Sequence, residues 1–201
     1  MNITVIHSRE RLLNRSTKYA SNYALNFLKK NNIKVVLNEK LGFDQFQADN
    51  EEEIILKVSN GQLIRTGLVF VCTGMWPNSS FLENAKTTEK EKKLMSEDHF
   101  VEANSFLQSS LAPNVFVCGD ICNIREEKLA QSAQNGASVV ISNLMRVESK
   151  KALARYGPSD LPIVISLGKI DAIFTWKNIT LTGFIPALIK EAIQWKVMVF
   201  Y

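Results

Sequence analysis

The sequence holds no run of about 18 apolar residues, so a membrane-crossing helix is not expected. It has no Cys-x-x-Cys pair. Cys72, Cys118 and Cys122 stand singly, and an odd count without a secretory layout at Met1-Asn2-Ile3 points to a reducing, cytoplasmic setting. His7 and His99 are the only histidines, and with Cys72 they make no metal-ligand spacing. The nine glycines are dispersed, and none falls in a Gly-x-Gly-x-x-Gly turn. The net charge of +4 is spread along the chain without a dense basic stripe, so nucleic acid is not an expected partner. No internal repeat is found. The apolar fraction of 46% and charged fraction of 22% belong to an ordinary globular protein.

What is present reads as an α/β chain. Ile3 to Ile6 is a β-branched run and predicts a buried strand. Ser16 stands where it can cap a helix carrying Ala20, Tyr23, Ala24, Phe27 and Leu28 on one face, with Asn31-Asn32 as its end. Ile33 to Leu37 predicts a second strand. Asp49 to Glu53 reads as an acidic turn, Ile54 to Val58 as a third strand, and Asn60-Gly61 as a hairpin turn before Leu63-Ile64. Leu68 to Cys72 is a continuous apolar run that predicts another strand, closed by Thr73-Gly74. Residues 84 to 98 are charged and polar and read as a solvated loop or short helix. Strands are expected within Phe100 to Phe106 and at Val115 to Cys118. A long helix is expected from Glu126 to Val147, with Leu129, Ala130, Ala133, Ala137, Val140, Ile141 and Leu144 as its core-facing stripe. Tyr156-Gly157-Pro158 marks a linker. Beyond it come a strand at Pro162 to Leu167, a further strand within Phe174 to Leu181, and a helix opening at Pro186.

One stretch raises a chemical question. Asn114-Val-Phe-Val-Cys-Gly-Asp120 delivers a carboxylate from an apolar run, and a charge there needs a partner. Strand ends in open α/β sheets are where ligands sit. Gly119 lets another group approach the backbone, and a helix N-terminus following the strand aims its amides at the same crevice. An acceptor beside such a terminus suits a ligand with hydroxyls and an electron-rich ring. The plainer alternative is an aspartate that caps its own helix or turn.

Two motifs together widen the view. Val69-Phe-Val-Cys-Thr-Gly-Met-Trp-Pro-Asn78 and Asn114-Val-Phe-Val-Cys-Gly-Asp120, the latter followed by a helix, resemble the two late motifs of the pyridine-nucleotide-disulfide oxidoreductase superfamily. Within it the chain looks most like the apoptosis-inducing-factor-like quinone reductases of the ferroptosis-suppressor type and the type II NADH dehydrogenases. Ile3-Thr-Val-Ile-His-Ser-Arg-Glu-Arg-Leu-Leu13 is similar to the second strand of their nucleotide domain. The resemblance implies that Asp120 accepts a hydrogen bond from a ribityl hydroxyl of FAD and that Gly119 lets the cofactor chain pass. It implies that Lys128, Leu129 and Ala130 lie near the isoalloxazine ring, where the helix dipole stabilises negative charge. Thr73 and Gly74 would close the nucleotide domain, or form a plain turn. Arg9 and Arg11, at the first strand's end, would favour the 2′-phosphate of NADPH over NADH, or be exposed loop charges. Relatives often carry a histidine where this chain has Gly136, and neither Cys118 nor Cys122 matches the redox pair of the disulfide reductases.

The implied fold is α/β: a partial two-dinucleotide-binding-domain, Rossmann-like flavoprotein with a small C-terminal α+β segment. The expected divisions are a remnant of an NAD(P)H-binding domain at 1–80, a remnant of an FAD-binding domain at 81–148, and a C-terminal segment at 149–201. The implied function passes electrons from NAD(P)H through flavin to a quinone-like acceptor. Because both glycine turns are missing, the chain reads as the C-terminal half of a longer enzyme or as a non-catalytic module that completes a second chain. No catalytic residue is assigned. Residues 186–201, with Lys190, Lys196, Trp195 and Tyr201, suggest a peripheral membrane surface, the alternative being a core-packing helix and strand.

Overall fold

The computed structural model describes residues 2–50, 53–83, 95–110, 112–158 and 160–200. In chain order the elements are β1 (Thr4–His7), α1 (Lys18–Lys30), β2 (Lys34–Leu37), β3 (Leu41–Asn50), β4 (Glu53–Val58), β5 (Leu63–Thr66), α2 (Ser80–Glu83), α3 (Ala130–Glu148), β6 (Ile163–Leu167), β7 (Asp171–Trp176), β8 (Ile179–Gly183) and α4 (Phe184–Phe200). The chain forms two compact units, one built from Met1–Cys72 with Pro162–Tyr201 and the other from Thr73–Leu161. These divisions differ from the expected 1–80, 81–148 and 149–201, because the segment from Pro162 returns to pack with the first unit.

In the first unit β1 and β2 pair in parallel, Thr4 opposite Lys34 through His7 opposite Leu37. A parallel pair needs a crossover, and α1 supplies it. Thr17, not Ser16, is the cap: its backbone is extended and its Oγ1 accepts from the Ala20 amide at 3.2 Å. Lys29 and Lys30 complement the dipole in the last turn, and Asn32 leaves the helix at φ 57°. Ala20 and Ala24 are buried and small, so α1 lies close against Ile173 of β7.

β3, β4 and β5 form an antiparallel sheet. The Asn60-Gly61 turn is found between β4 and β5, with Gly61 at φ 85° and its amide donating to Val58 O at 2.8 Å. β3 was not expected. Asp49 and Asn50, read as part of a turn, belong to it, while residues 51 and 52 lie outside the described residues.

The third sheet is an antiparallel meander, β6-β7-β8. The single strand expected within Phe174 to Leu181 is instead a hairpin, turned at Lys177 with φ 52°. Pairing of Ile173 with Thr182 and Thr175 with Thr180 puts these side chains on the face that meets α1. There Thr17 Oγ1 meets Thr180 Oγ1 at 2.7 Å, and the Tyr23 hydroxyl donates to both Asp171 oxygens at 3.1 and 3.0 Å. Ala172, Phe174, Trp176, Ile179 and Leu181 alternate to the other face. Ala172 is fully buried there, and α4, which packs chiefly against β7, covers it. The helix begins at Phe184, two residues before the expected start. Pro186 sits in its first turn, where a missing amide breaks no helical bond.

The second unit has little regular sheet. Val101, Leu107, Val117, Cys122 and Tyr156 form its core. The strands expected at Phe100 to Phe106 and Val115 to Cys118 reduce to isolated bridges: Val101 with Met95 and Cys122, Ala103 with Ser109, and Phe116 with Gln108. Leu68 to Cys72, at the junction of the units, forms no strand. Phe70 is 78% exposed, and no described strand pairs with this run. An apolar run becomes a buried strand only when neighbours take up its backbone groups. The reading of residues 84 to 98 falls largely on 84–94, outside the described residues.

α3 departs most from expectation. It starts at Ala130 rather than Glu126, and it buries Ser132, Gly136 and Asn143. Ile141 and Leu144, predicted to face the core, are exposed, as are Met145 and Val147. Val140, also predicted, does pack against the core, and Asn143 explains why the buried face is displaced. Asn143 is fully buried because its Nδ2 donates to Phe106 O at 2.9 Å and Ala154 O at 3.0 Å, while its Oδ1 accepts from Ala154 N at 2.7 Å. Three satisfied bonds make a polar side chain a core residue.

Candidate functional site

Gly119, Asp120, Lys128, Leu129 and Ala130 all lie on the turn and loop that run from Cys118 into α3. Gly119 adopts φ 78°, a conformation that favours glycine, and the Cys122 amide closes the turn by donating to Gly119 O at 3.1 Å. A Cβ on Gly119 would stand 3.7 Å from Ala133 Cβ, so this turn rests on the first turn of α3. Asp120 is exposed, and its carboxylate makes no hydrogen bond or ion pair among the described residues. It therefore caps neither its own turn nor the helix. The α3 cap position is Leu129, extended at φ −118°, ψ 151°, with no side-chain hydrogen bond. An exposed acceptor thus neighbours Gly119, whose turn rests on the first turn of a helix with uncapped amides.

Lys128 lies in the loop before α3 rather than in the helix. Its Nζ donates to Cys122 O at 2.6 Å and Ile124 O at 3.0 Å while lying 5.6 Å from the Phe100 ring centre. Those bonds, with Ser132 Oγ donating to Glu127 O at 2.9 Å, hold 122–129 as a loop and delay the helix. Lys128 shapes the turn. Leu129 is half-buried, and Ala130 is exposed at the helix start.

Beneath the loop lies a contact that sequence reading missed. Tyr156, taken there as linker, is buried and donates its hydroxyl to Glu126 Oε1 and Oε2 at 2.9 and 2.7 Å. Burial, then the hydrogen bond to Glu126, pushes the Tyr156 hydroxyl well above its ordinary range. The signal was present: a tyrosine beside Gly-Pro must find a partner for its hydroxyl once buried.

Burial pushes the Cys118 and Cys122 thiols up, with smaller opposing effects at Cys122. Gly136 is buried in α3. A Cβ there would meet Cys118 Cβ at 3.0 Å, so any larger side chain must displace the strand-like segment beneath it.

The remaining predicted positions stand apart. Thr73 and Gly74 are exposed, with Gly74 at φ 118° and open space around the position of a Cβ. Nearby Trp76 packs 5.0 Å from His99, beside a cleft of about 400 Å³ lined also by Pro77, Asn78, Ser79 and Ser80. Arg9 is in the other unit, exposed just past β1. Arg11 is committed to its own loop, donating to Ser16 O at 3.0 Å and Asn14 O at 2.7 Å. Two positions before Arg9, His7 Nε2 is buried and has no hydrogen-bond partner among the described residues. The first unit also has a cleft of about 410 Å³ between the β6–β7 turn and α4, lined by Lys169, Asp171, Lys190, Glu191 and Gln194 among others.

A flavin can be tested against this geometry. The open Asp120 acceptor, the permissive Gly119 turn and the uncapped α3 amides fit a hydroxylated chain carrying an electron-rich ring. The described residues offer no glycine cradle for a pyrophosphate. The fit is to the ribityl and ring end alone.

Residues 1–137 match the family model described as pyridine nucleotide-disulphide oxidoreductase. The chain is similar to ferroptosis suppressor protein 1 of Mus musculus, 27% identical over 174 residues that cover 85% of this chain and 45% of that protein. It is also similar to an FAD-dependent oxidoreductase of Flammulina velutipes, 26% identical over 194 residues, covering 94% and 57%. Among solved structures, a pyridine nucleotide-disulfide family oxidoreductase from Enterococcus faecalis superimposes with a TM-score of 0.68 at 22% identity, covering 86% of this chain and 39% of that one. The water-forming NADH oxidase from Lactobacillus brevis, bound to NADH, gives 0.66 at 18%, covering 86% and 36%. These structural likenesses carry the fold. The chain spans about half the length of the curated relatives it matches.

Proposed function

Because the chain belongs to the pyridine nucleotide-disulphide oxidoreductase family, we propose that it serves flavin-dependent oxidation of NAD(P)H, with a quinone as electron acceptor. The observation that supports this reading is the Asp120 carboxylate, exposed on the turn whose Gly119 approaches Ala133 in the first turn of α3. FAD, when bound, supplies the two-electron chemistry between nicotinamide and acceptor. The chain supplies position and electrostatics. Asp120 accepts from a hydroxyl of the ligand chain, Gly119 admits close approach, and the α3 amides stabilise negative charge at the ring edge. Lys128 and the Tyr156–Glu126 bond hold the loop in shape. Arg9 meets the adenosine phosphate of NADPH.

FAD titrated into the full chain, followed by quenching of flavin fluorescence, tests this. Saturable binding is expected. Asp120→Ala should weaken it by roughly 10- to 100-fold, the effect of about 1.5–3 kcal/mol for a hydrogen bond to a charged group. Equal binding by wild type and variant removes Asp120 from the site.

A second reading has its own support. Phe70, Trp76, Ile141 and Met145 are exposed apolar side chains of a chain about half its relatives' length. In this reading the chain completes a polypeptide that carries the glycine turns, and it binds FAD only in that assembly. A colourless chain that ignores FAD alone yet turns yellow when co-expressed with such a polypeptide would favour it.

A further inference from the structure

No described helix is long and apolar enough to cross a membrane. α4 carries the exposed Glu191 between Leu188 and Trp195 on its apolar stripe, and Tyr201 lies outside the described residues. A better-formed surface stands in the second unit, where the Trp76–His99 pair borders its cleft of about 400 Å³.

The pair is held by a tight turn. Met95 bridges Val101 in antiparallel fashion, the His99 amide donates to Ser96 O at 3.0 Å, and the Ser96 amide donates to Phe100 O at 2.7 Å. His99 takes the left-handed position of this turn at φ 61°, a place that suits glycine best. Ser79 is buried beside the cleft, and its Oγ donates to His99 O at 2.6 Å, tying the turn to the Trp76 segment. The imidazole is thereby fixed against the indole, with 5.0 Å between ring centres and a tilt of 49°. A glycine would adopt the same backbone with less strain, but it would leave the indole without its brace.

Trp76 is nonetheless 71% exposed. An indole braced on one side and open on the other is a stacking surface for a flat ring. Asn78 also lines the cleft, and its side chain makes no hydrogen bond among the described residues. A carboxamide presents one acceptor and one donor side by side. Adenine offers the complement, the N6 amino donor beside the N7 acceptor, whereas hypoxanthine and guanine show two acceptors there. The cleft has the size of a small-ligand site. Its described lining contains no lysine or arginine, so neither a phosphate nor a nucleic-acid strand would meet a cation in it.

We propose that this cleft binds the adenine ring of a nucleoside, stacked on Trp76 and read at its N6–N7 edge by Asn78. The proposal is independent of the flavin reading, because neither Asp120 nor α3 lines the cleft.

Calorimetric titration of adenosine into the full chain tests this. Saturable binding is expected, and inosine should bind more weakly, since a bidentate base contact discriminates by roughly 5- to 150-fold. AMP should bind like adenosine. Trp76→Ala should weaken adenosine binding by about tenfold or more at an unaltered thermal midpoint, since the indole is exposed. His99→Gly should weaken it several-fold while the thermal midpoint holds or rises, a combination that a merely structural histidine would not give. Asn78→Ala should erase the preference over inosine. Asp120→Ala should leave adenosine binding unchanged, which separates this site from the flavin site. Adenosine that displaces bound FAD would identify the adenine end of a dinucleotide as the occupant, and adenosine that binds beside FAD would identify a free nucleoside. Wild type that does not bind adenosine, Trp76→Ala that binds it like wild type, or equal binding of adenosine and inosine overturns the proposal.

Discussion

The Tyr156 hydroxyl donates to both oxygens of Glu126, thirty positions earlier in the chain, at 2.9 and 2.7 Å. This bond ties the segment after α3 to the loop before it. Asp120 and the start of α3 are held by that loop, so a contact with no ligand of its own sets the shape of the candidate site.

Removing it should be measurable. Tyr156→Phe leaves the Glu126 carboxylate without its buried donor and is expected to lower stability by about 1–3 kcal/mol. Urea unfolding reads the loss. Unchanged stability would mean that water replaces the hydroxyl freely.

The same hydroxyl predicts an alkaline limit. Its folded pKa is raised by burial and by Glu126, and that of Tyr23 is raised by burial and by Asp171. The folded protein therefore holds these protons more tightly than the unfolded chain does. The stability they contribute is fully present below the ordinary tyrosine value of about 10 and is lost as pH rises through the folded values. Unfolding midpoints should hold below about pH 10 and fall as pH rises above it. The fall should be smaller in Tyr23→Phe and Tyr156→Phe, and a slope equal to wild type in both variants would contradict the assignment.

Asn143 should behave as a core residue. Asn143→Leu keeps the branched shape, with bulkier methyl ends, but strands the Phe106 and Ala154 carbonyls and the Ala154 amide. A loss of at least about 2 kcal/mol is expected, since buried unpaired backbone groups cost more than a net hydrogen bond gives. Exchange of the Ala154 amide with deuterium should accelerate in parallel.

Gly136→Ala places a methyl 3.0 Å from Cys118 Cβ. Overpacking of this kind costs about 1–3 kcal/mol. Cys118→Ala should not rescue it, because the close atom is the Cβ that alanine keeps. Rescue would show that the thiol, rather than the backbone approach, sets the limit.

If Arg9 meets the 2′-phosphate, Arg9→Glu should lower kcat/KM with NADPH by roughly 10- to 100-fold, the effect of about 1.5–3 kcal/mol for a charged hydrogen bond, and change NADH much less. The comparison requires an assembly that binds FAD. Equal losses with both nucleotides would remove the phosphate contact.

Local signals in the sequence determined the βαβ start, the Asn60-Gly61 hairpin, the C-terminal strand at Ile163–Leu167 and the Gly119-Asp120 turn, because capping, alternation and positive φ act over a few residues. The family was legible in the same way, from two short motifs. Tertiary structure alone decided which face of α3 is buried, since Asn143 becomes a core residue only when Phe106 and Ala154, distant in the chain, present their backbone groups to it. It likewise left Leu68, Phe70, Val71 and Cys72 exposed and drew β7 and β8 onto α1. Periodicity records how apolar each position is, whereas burial depends on what lies opposite, and no local pattern contains that.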